Sequence, residues 1–445
     1  MRFDNCEKTK HSTKDMKLKY VFLFLLSIIL CQSAFAQADV YLKLSTSERR
    51  QLELGIAPLQ TQDAKTSPEV ASAAQKMLDI IGDDLSFSLY FKLVYPPSLL
   101  EGYGLKKGQL DIGAWQMLGA RQVLIPELKQ DKKKTTLKLS VFDLSIQRQV
   151  FSKDIDPDGS RATAHAASDL IIKNLSGENG VSSTKIAFSL KNGKNKELML
   201  ADYDGGGFRA LTNFNSINIS PDWQPGGGAL AFVSFYRNRT DVMSLNLASG
   251  KTAIISQTEG LNTSPAWSPD GKSLALTLSK DGNAEIYLMS PESKELRRLT
   301  NSWAIDCSPS WSPNGRELVF NSDRPGSPQL YVMDSEGANI RRLTYQGSYN
   351  TSPSWSPRGD KIAFVSRIDG KFQVCTIDIT GDNFVQLTYE GDNEDPSWSP
   401  DGLHLCFSSS RTGSHQIWRM HWDGSAQQAI TNNSGSYMPA WGPAQ

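Results

Sequence analysis

Ser264-Pro265-Ala266-Trp267-Ser268-Pro269-Asp270-Gly271 is one copy of a unit that recurs through the second half of the chain. Its tryptophan returns at Trp223, Trp311, Trp355, Trp398 and Trp441, and the six positions are separated by 44, 44, 44, 43 and 43 residues. A fixed period of this length marks a repeated supersecondary unit and decides the architecture before any local reading. The same strand signals return in every period. Glu317-Leu318-Val319-Phe320 reads as a second strand, with counterparts beginning at Ile186, Leu230, Leu274, Ile362 and Leu405. A third strand follows, as in Gln329-Leu330-Tyr331-Val332-Met333, and a fourth ends in a hydroxyl residue, as in Arg298-Leu299-Thr300. Four short antiparallel strands per period make a propeller blade, so residues 184–445 are expected to form an all-β six-bladed β-propeller.

The ends of the array predict how the ring closes. The motif at Ile186 has no Pro-x-Trp segment before it, and Pro439-Ala440-Trp441 has no second strand after it. The C-terminal segment is therefore expected to supply the innermost strand of the first blade and to remove two open sheet edges. The motif residues read as mechanical. Trp267 offers a large apolar surface to the gap between blades. Pro269-Asp270-Gly271, Pro313-Asn314-Gly315 and Pro400-Asp401-Gly402 are turn chemistry.

Ahead of the repeats, strand and helix signals mix, and residues 39–178 read as an α/β N-terminal domain. Leu52, Leu54 and Ile56 alternate as a strand. Ser67 caps a helix with Pro68 at its first position, Val70, Ala74, Met77, Leu78 and Ile81 on one face, and Gly82 at its end. Phe91 to Tyr95 is a strand, and a short helix carries Trp115. Strands at 121–128, 137–141 and 149–155 follow, with Lys132–Lys134 as a solvated hairpin tip. A last helix over 158–175 is expected to bury Ala162, Ala166, Leu170 and Ile171, with Gly177 beyond its end. The Gly/Ser-rich stretch from Glu178 to Ser183 reads as a linker.

The first 38 residues read as a signal peptide. Lys14, Lys17 and Lys19 flank an apolar run from Val21 to Leu30, and small residues follow, predicting cleavage after Ala36 or Ala38. The apolar run falls short of the ~20 residues that span a bilayer, so no direct membrane span is expected. Cys31 follows Leu30 where lipid modification needs a small residue. Lysine plus arginine equals aspartate plus glutamate at 47 each, which gives no pull toward nucleic acid. The exported chain keeps Cys307, Cys375 and Cys406, an odd set read as small buried hydrophobes.

Catalytic and metal patterns are missing from the sequence. His165, His404, His415 and His421 show no paired-ligand spacing, and no G-x-S-x-G elbow exists. Gly205-Gly206-Gly207 and Gly226-Gly227-Gly228 read as blade turns. Asp202, Asp204 and Gly205 lack the later Glu of a calcium loop. The expectation is no catalytic residue, no metal and no cofactor. Function is then left to loops on a rigid scaffold. Those entering the inner strands are Asn262-Thr263-Ser264, Asp306-Cys307-Ser308, Asn350-Thr351-Ser352, Asn393-Glu394-Asp395 and Ser436-Tyr437-Met438, and they ring the mouth of the central channel.

The signal peptide, the α/β domain and six S-P-x-W-S-P-D-G-type blades, together with Ala114-Trp115 and Leu118-Gly119 before a strand, resemble the TolB family over residues 39–445. The resemblance implies a periplasmic, non-enzymatic adaptor of the Tol–Pal system, acting as a monomer in outer-membrane integrity and constriction at division. It implies that the mouth binds the peptidoglycan-associated lipoprotein Pal, with candidates Asn262, Thr263, Ser264, Asp306, Cys307, Asn350, Thr351, Glu394, Asp395 and Tyr437. It also implies that an N-terminal arm, Asp39, Val40, Tyr41, Leu42, Lys43 and Leu44, engages the C-terminal domain of TolA. Cys307 within a mouth loop, and Ile254-Ile255-Ser256 where Arg-Arg-Leu-Thr is usual, depart from the repeat pattern. The competing readings are a periplasmic propeller that binds glycan or another envelope protein, and a propeller attached to a peptidase.

Overall fold

A computed structural model describes residues 51–445, except 62–66, 98–104, 107–108, 132–133 and 445. The expected signal peptide, residues 1–38, and the expected arm, Asp39–Leu44, lie outside the described residues.

The N-terminal region is a mixed sheet covered by two long helices. Strands run in the order Phe91–Val94, Leu52–Ile56, Gln122–Asp131, Lys134–Asp143 and Arg148–Ile155, the first three parallel and the rest antiparallel. Period-two alternation splits the central strand. Leu124 and Leu128 face Met77, Ile81, Leu85 and Ile171 of the helices, while Val123 and Ile125 face Trp115 on the other side. Gly55 is required there, because a Cβ would lie 2.7 Å from the Trp115 ring.

The first helix, Pro68–Phe87, is capped by Ser67 as the sequence suggests, its hydroxyl accepting from the Val70 amide at 3.3 Å. It does not stop at Gly82. That glycine is buried inside the helix, and Leu85 and Phe87 extend the apolar face one turn further. The second, Arg161–Ser176, is capped by Ser160 and ends at Gly177 in the left-handed region. Its buried face also differs from expectation. Ala162, Ala166 and Leu170 are exposed, and the helix instead buries Ala164, His165, Ala167, Ser168, Ile171 and Ile172. The residues from Glu178 to Ser183 are tied down, since the Ser182 and Ser183 amides both donate to the Asp169 carboxylate.

Six four-stranded sheets follow and form the propeller: blade 1 takes residues 185–210 with 436–441, blade 2 residues 218–256, blade 3 residues 262–298, blade 4 residues 306–342, blade 5 residues 350–386 and blade 6 residues 393–429. The inner strand of blade 1 is Ser436–Trp441, antiparallel to Lys185–Asn192, so the C-terminal segment closes the ring as expected. Every inner strand carries a bulge at the same place. Ser264 and Pro265 together oppose Leu276, and the register shifts there in each blade. The residue before the proline takes positive φ every time: Ser220, Ser264, Ser308, Ser352, Asp395 and Met438. The proline has no N–H to place in a ladder, which suits a bulge on an edge strand. Left-handed backbone costs roughly 1–2 kcal/mol per non-glycine residue, so each blade holds a strained point at the channel wall.

The motif tryptophans bridge blades. The indole N–H groups of Trp223, Trp311 and Trp398 donate to the carbonyls of Ala440, Ala266 and Ser354 at 3.0–3.1 Å, each on the preceding inner strand. A polar latch repeats alongside. Thr344 at the end of a fourth strand donates to Gln329 of the third, and Gln329 accepts from Asn350 at the start of the next inner strand. Thr388, Gln373 and Asn393 repeat this one blade on, and Thr212, Glu197 and Asn218 do so in blade 1. In these three blades the hydroxyl ending the fourth strand is thus part of a blade-to-blade fastening.

The N-terminal region packs on blades 6 and 1 through a mixed interface. Leu403 and Trp422 join the core of the helices, and Phe87 joins the core of blade 1. The Phe87 ring stacks on His404 at 4.5 Å, and the Arg419 guanidinium lies 3.9 Å from its centroid.

Candidate functional site: the propeller mouth

Connections from each fourth strand to the next inner strand, and from each second strand to the third, emerge on one face because the strands alternate in direction. The sequence candidates for the mouth fall into two groups. Asn262, Asp306 and Asn350 are fully buried and serve as fastenings. Asn262 accepts from Ser256, from the Thr258 hydroxyl and from the Thr258 amide; Asp306 holds Arg324 at 2.6 Å; Asn350 holds Gln329. These three are corrected from surface contacts to scaffold, because the latch needs a polar side chain at the first position of the inner strand. Thr263, Ser264, Cys307, Thr351, Glu394, Asp395 and Tyr437 are half-buried and stay accessible. Asn321 donates to the Cys307 sulfur at 2.9 Å, and burial raises this thiol's pKa, so it stays protonated. Cys375 and Cys406 are buried apolar groups, with the Cys375 pKa pushed up to about 12 by burial.

The mouth has two unlike sides. Where blades 6 and 1 meet, Lys196 sits 4.2 Å from the Tyr437 ring centroid, and the His415 ring lies 4.8 Å from the same ring. His415 Nε2 is 4.0 Å from Glu394. Burial, then the neighbouring Glu394, pushes the Asp395 pKa up to about 6, and burial raises Glu394 as well. Desolvation lowers Lys196. The connecting loops of blades 2 to 5 instead expose large apolar groups: Tyr236, Leu261, Trp303, Ile305, Tyr345 and Tyr389. None of these was among the sequence candidates. The signal was available, because Tyr345 and Tyr389 follow the hydroxyl of a fourth strand, where Asn213, Asn301 and Asn432 stand in other blades.

A second cluster lies between the N-terminal region and the propeller. Buried Asp84 accepts from Tyr203 at 2.7 Å and pairs with His165 Nδ1 at 2.8 Å. Asp84, His165 and Asp204 bring ligand-type atoms within 4.8 Å of one another. Arg161 already places its guanidinium on Asp204 and Asp202, and Lys185 pairs with Asp202. The cluster's positive charge thus comes from the chain itself, and the arrangement is an interdomain fastening. His165 was passed over in the sequence because a lone buried histidine leaves no pattern.

Two family models match the chain: the TolB amino-terminal domain over residues 40–150 and the TolB beta propeller domain over residues 172–445. The Tol-Pal system protein TolB of Desulfosudis oleivorans is 34% identical over 242 residues, covering 53% of this chain and 55% of that protein. The corresponding protein of Geobacter sulfurreducens is 35% identical over 219 residues, covering 49% of this chain and 50% of its own. The chain thus spans about half the length of the curated relatives it matches. The crystal structure of TolB from Acinetobacter baumannii superposes with a TM-score of 0.76 at 28% identity, covering 89% of this chain and 97% of that one. Among the described residues, no helix is long and apolar enough to cross a membrane.

Proposed function

The chain belongs to the TolB family, and on that footing we propose that it is a non-enzymatic, periplasmic component of the Tol–Pal system. Its propeller mouth receives the lipoprotein Pal, and its arm, Asp39 to Leu44, engages the C-terminal domain of TolA. It acts as a monomer and supports outer-membrane integrity and constriction at division. Residues 1–38 direct export, 39–178 form the N-terminal domain and 184–445 the propeller.

The observation that carries this reading is the reach of the match, which takes in both the amino-terminal and the propeller models. The mouth supports it. Half-buried polar groups and exposed aromatics sit on loops of a closed, latched ring, the usual arrangement for recognition.

The test is calorimetric titration of the mature chain with the soluble domain of Pal from the same cell. One-to-one binding is expected; no binding by folded protein rejects the Pal assignment. Removing residues 39–44 is expected to leave propeller melting unchanged and to abolish TolA binding, and retained TolA binding rejects the arm. Mass spectrometry of the exported protein reads the cleavage site, expected after Ala36 or Ala38.

A further inference from the structure

Trp303, Tyr345 and Tyr389 stand on the loops leaving blades 3, 4 and 5, and they are 79%, 73% and 70% exposed. Ile305 and Tyr236 extend the series at 50% and 61%. At about 200 Å² per aromatic side chain, the four rings present roughly 550 Å² of surface. A standard interface buries about 800 Å² per partner, so this arc alone is most of a protein-sized footprint. The exposed large apolar residues of the mouth loops all fall on blades 2 to 5; blades 6 and 1 offer Lys196, Glu394, Asp395 and His415 instead.

A charge within the arc points to the chemistry of its partner. In blade 3, Arg298 donates to the Thr300 carbonyl at 2.7 Å and to the Glu285 carboxylate at 3.0 Å. Arg342 repeats the first contact in blade 4, donating to the Thr344 carbonyl at 2.6 Å. The position of Glu285 is taken there by Gln329, whose carbonyl oxygen is engaged by Thr344 and Asn350. Arg342 therefore has no carboxylate partner among the described residues. Its guanidinium lies 4.8 Å from the centroid of exposed Tyr345.

We propose that the mouth's partner docks off the channel axis, over blades 3 to 5, with an apolar patch on Trp303, Tyr345 and Tyr389 and a carboxylate on Arg342. This rests on the reading of the mouth as the Pal site, and names the surface that carries the affinity. Large aromatics and arginine dominate the energetics of protein interfaces, whereas the half-buried polar rim contributes little.

Calorimetric titration with the soluble Pal domain separates the outcomes. Trp303→Ser with Tyr345→Ala is expected to weaken binding at least about 30-fold, the scale of a hot spot. Gln329→Glu recreates the blade 3 arrangement and leaves every exposed residue in place. It gives up the Gln329 Nε2 bond to the Gly347 carbonyl, so its melting is measured alongside. By occupying Arg342 internally it is expected to weaken binding about tenfold and to flatten the salt dependence. Removal of Met117, which is 84% exposed on the N-terminal region, is the control and leaves affinity unchanged. Wild-type binding that survives both the aromatic and the Gln329→Glu changes overturns the arc and spares the Pal reading. No binding by wild type overturns both. A wild-type chain that sediments as a dimer, and as a monomer once Trp303 is serine, assigns the arc to a second copy and overturns the proposal.

Discussion

Phe87→Ala should uncouple the N-terminal region from the propeller. Phe87 ends the helix Pro68–Phe87, yet its ring belongs to the core of blade 1, where it is 6% exposed. It stacks on His404 at 4.5 Å and meets His421 at 4.8 Å and Tyr203 at 6.0 Å. Arg419 lies over it at 3.9 Å with Nε and Nη1 buried and lacking a hydrogen-bond partner, so the ring face does much to compensate that charge. Truncating a buried phenylalanine costs about 3–5 kcal/mol, and a desolvated cation–π contact about 2 kcal/mol within that total. Because both losses fall on contacts across the interface, the cost should appear mainly as lost coupling. Two spectroscopic probes separate the parts. The two long helices lie in the N-terminal region, so circular dichroism at 222 nm reports on it, while tryptophan fluorescence is dominated by the propeller, which holds nine of the ten tryptophans. In urea the wild-type curves should coincide, and in Phe87→Ala the helical signal should be lost at lower denaturant than the fluorescence. Coincident curves at the wild-type midpoint would refute the idea that this ring joins the two parts.

Three further outcomes follow from the packing. Trp441→Ala removes the ring of the closing strand and its N–H bond to Thr184 at 2.8 Å, and should lower propeller stability by about 3–5 kcal/mol in urea titration. Gly337→Ala should cost at least about 1–3 kcal/mol, because the residue sits at φ +84 and an added Cβ would lie 2.4 Å from the Leu299 carbonyl of the neighbouring blade; Gly250→Ala, at φ +67 with open space around it, should stay near 1 kcal/mol. The interface histidines pull in opposite directions with pH. Burial alone would lower His165, but the hydrogen bond and charge of Asp84 outweigh it, so its folded pKa is raised. That stabilisation is complete below the unfolded value of about 6.5 and fades as pH rises through the folded one. Burial, then His421, lowers His404, and burial also lowers His421; their contribution is complete above about 6.5 and is lost as pH falls. Asp84→Asn should therefore cost more at pH 6 than at pH 9, and His404→Gln should move the acid unfolding midpoint downward, both read by urea titration across pH.

The propeller was legible because one period, marked by Trp223 to Trp441, repeats six times and leaves its two ends complementary. The N-terminal helices were legible at their caps, where Ser67 and Gly177 have local reasons to stand. Their faces and lengths were harder to read. His165 and Ser168 look like solvent-side residues in a helical pattern, and only Asp84, eighty-one positions away, explains a buried histidine. At the mouth, an asparagine at the start of an inner strand looks the same whether it meets water or Gln329. Tyr345 and Tyr389 were visible as departures from a polar position, but exposure is a property of the assembled ring.

Joining Ser436–Trp441 to Lys185–Asn192 has a consequence in time. The two halves of blade 1 lie at opposite ends of the propeller sequence, with five blades between them. As the chain emerges, the strand Lys185–Asn192 must wait, its inner edge unpaired, until the last blade has followed. Pairings that span so much chain form slowly, and an exposed edge in the interval is open to other strands. An acquired defect in the final strand would therefore be felt first as a failure to mature, with protein lost to aggregation or proteolysis before any partner is met.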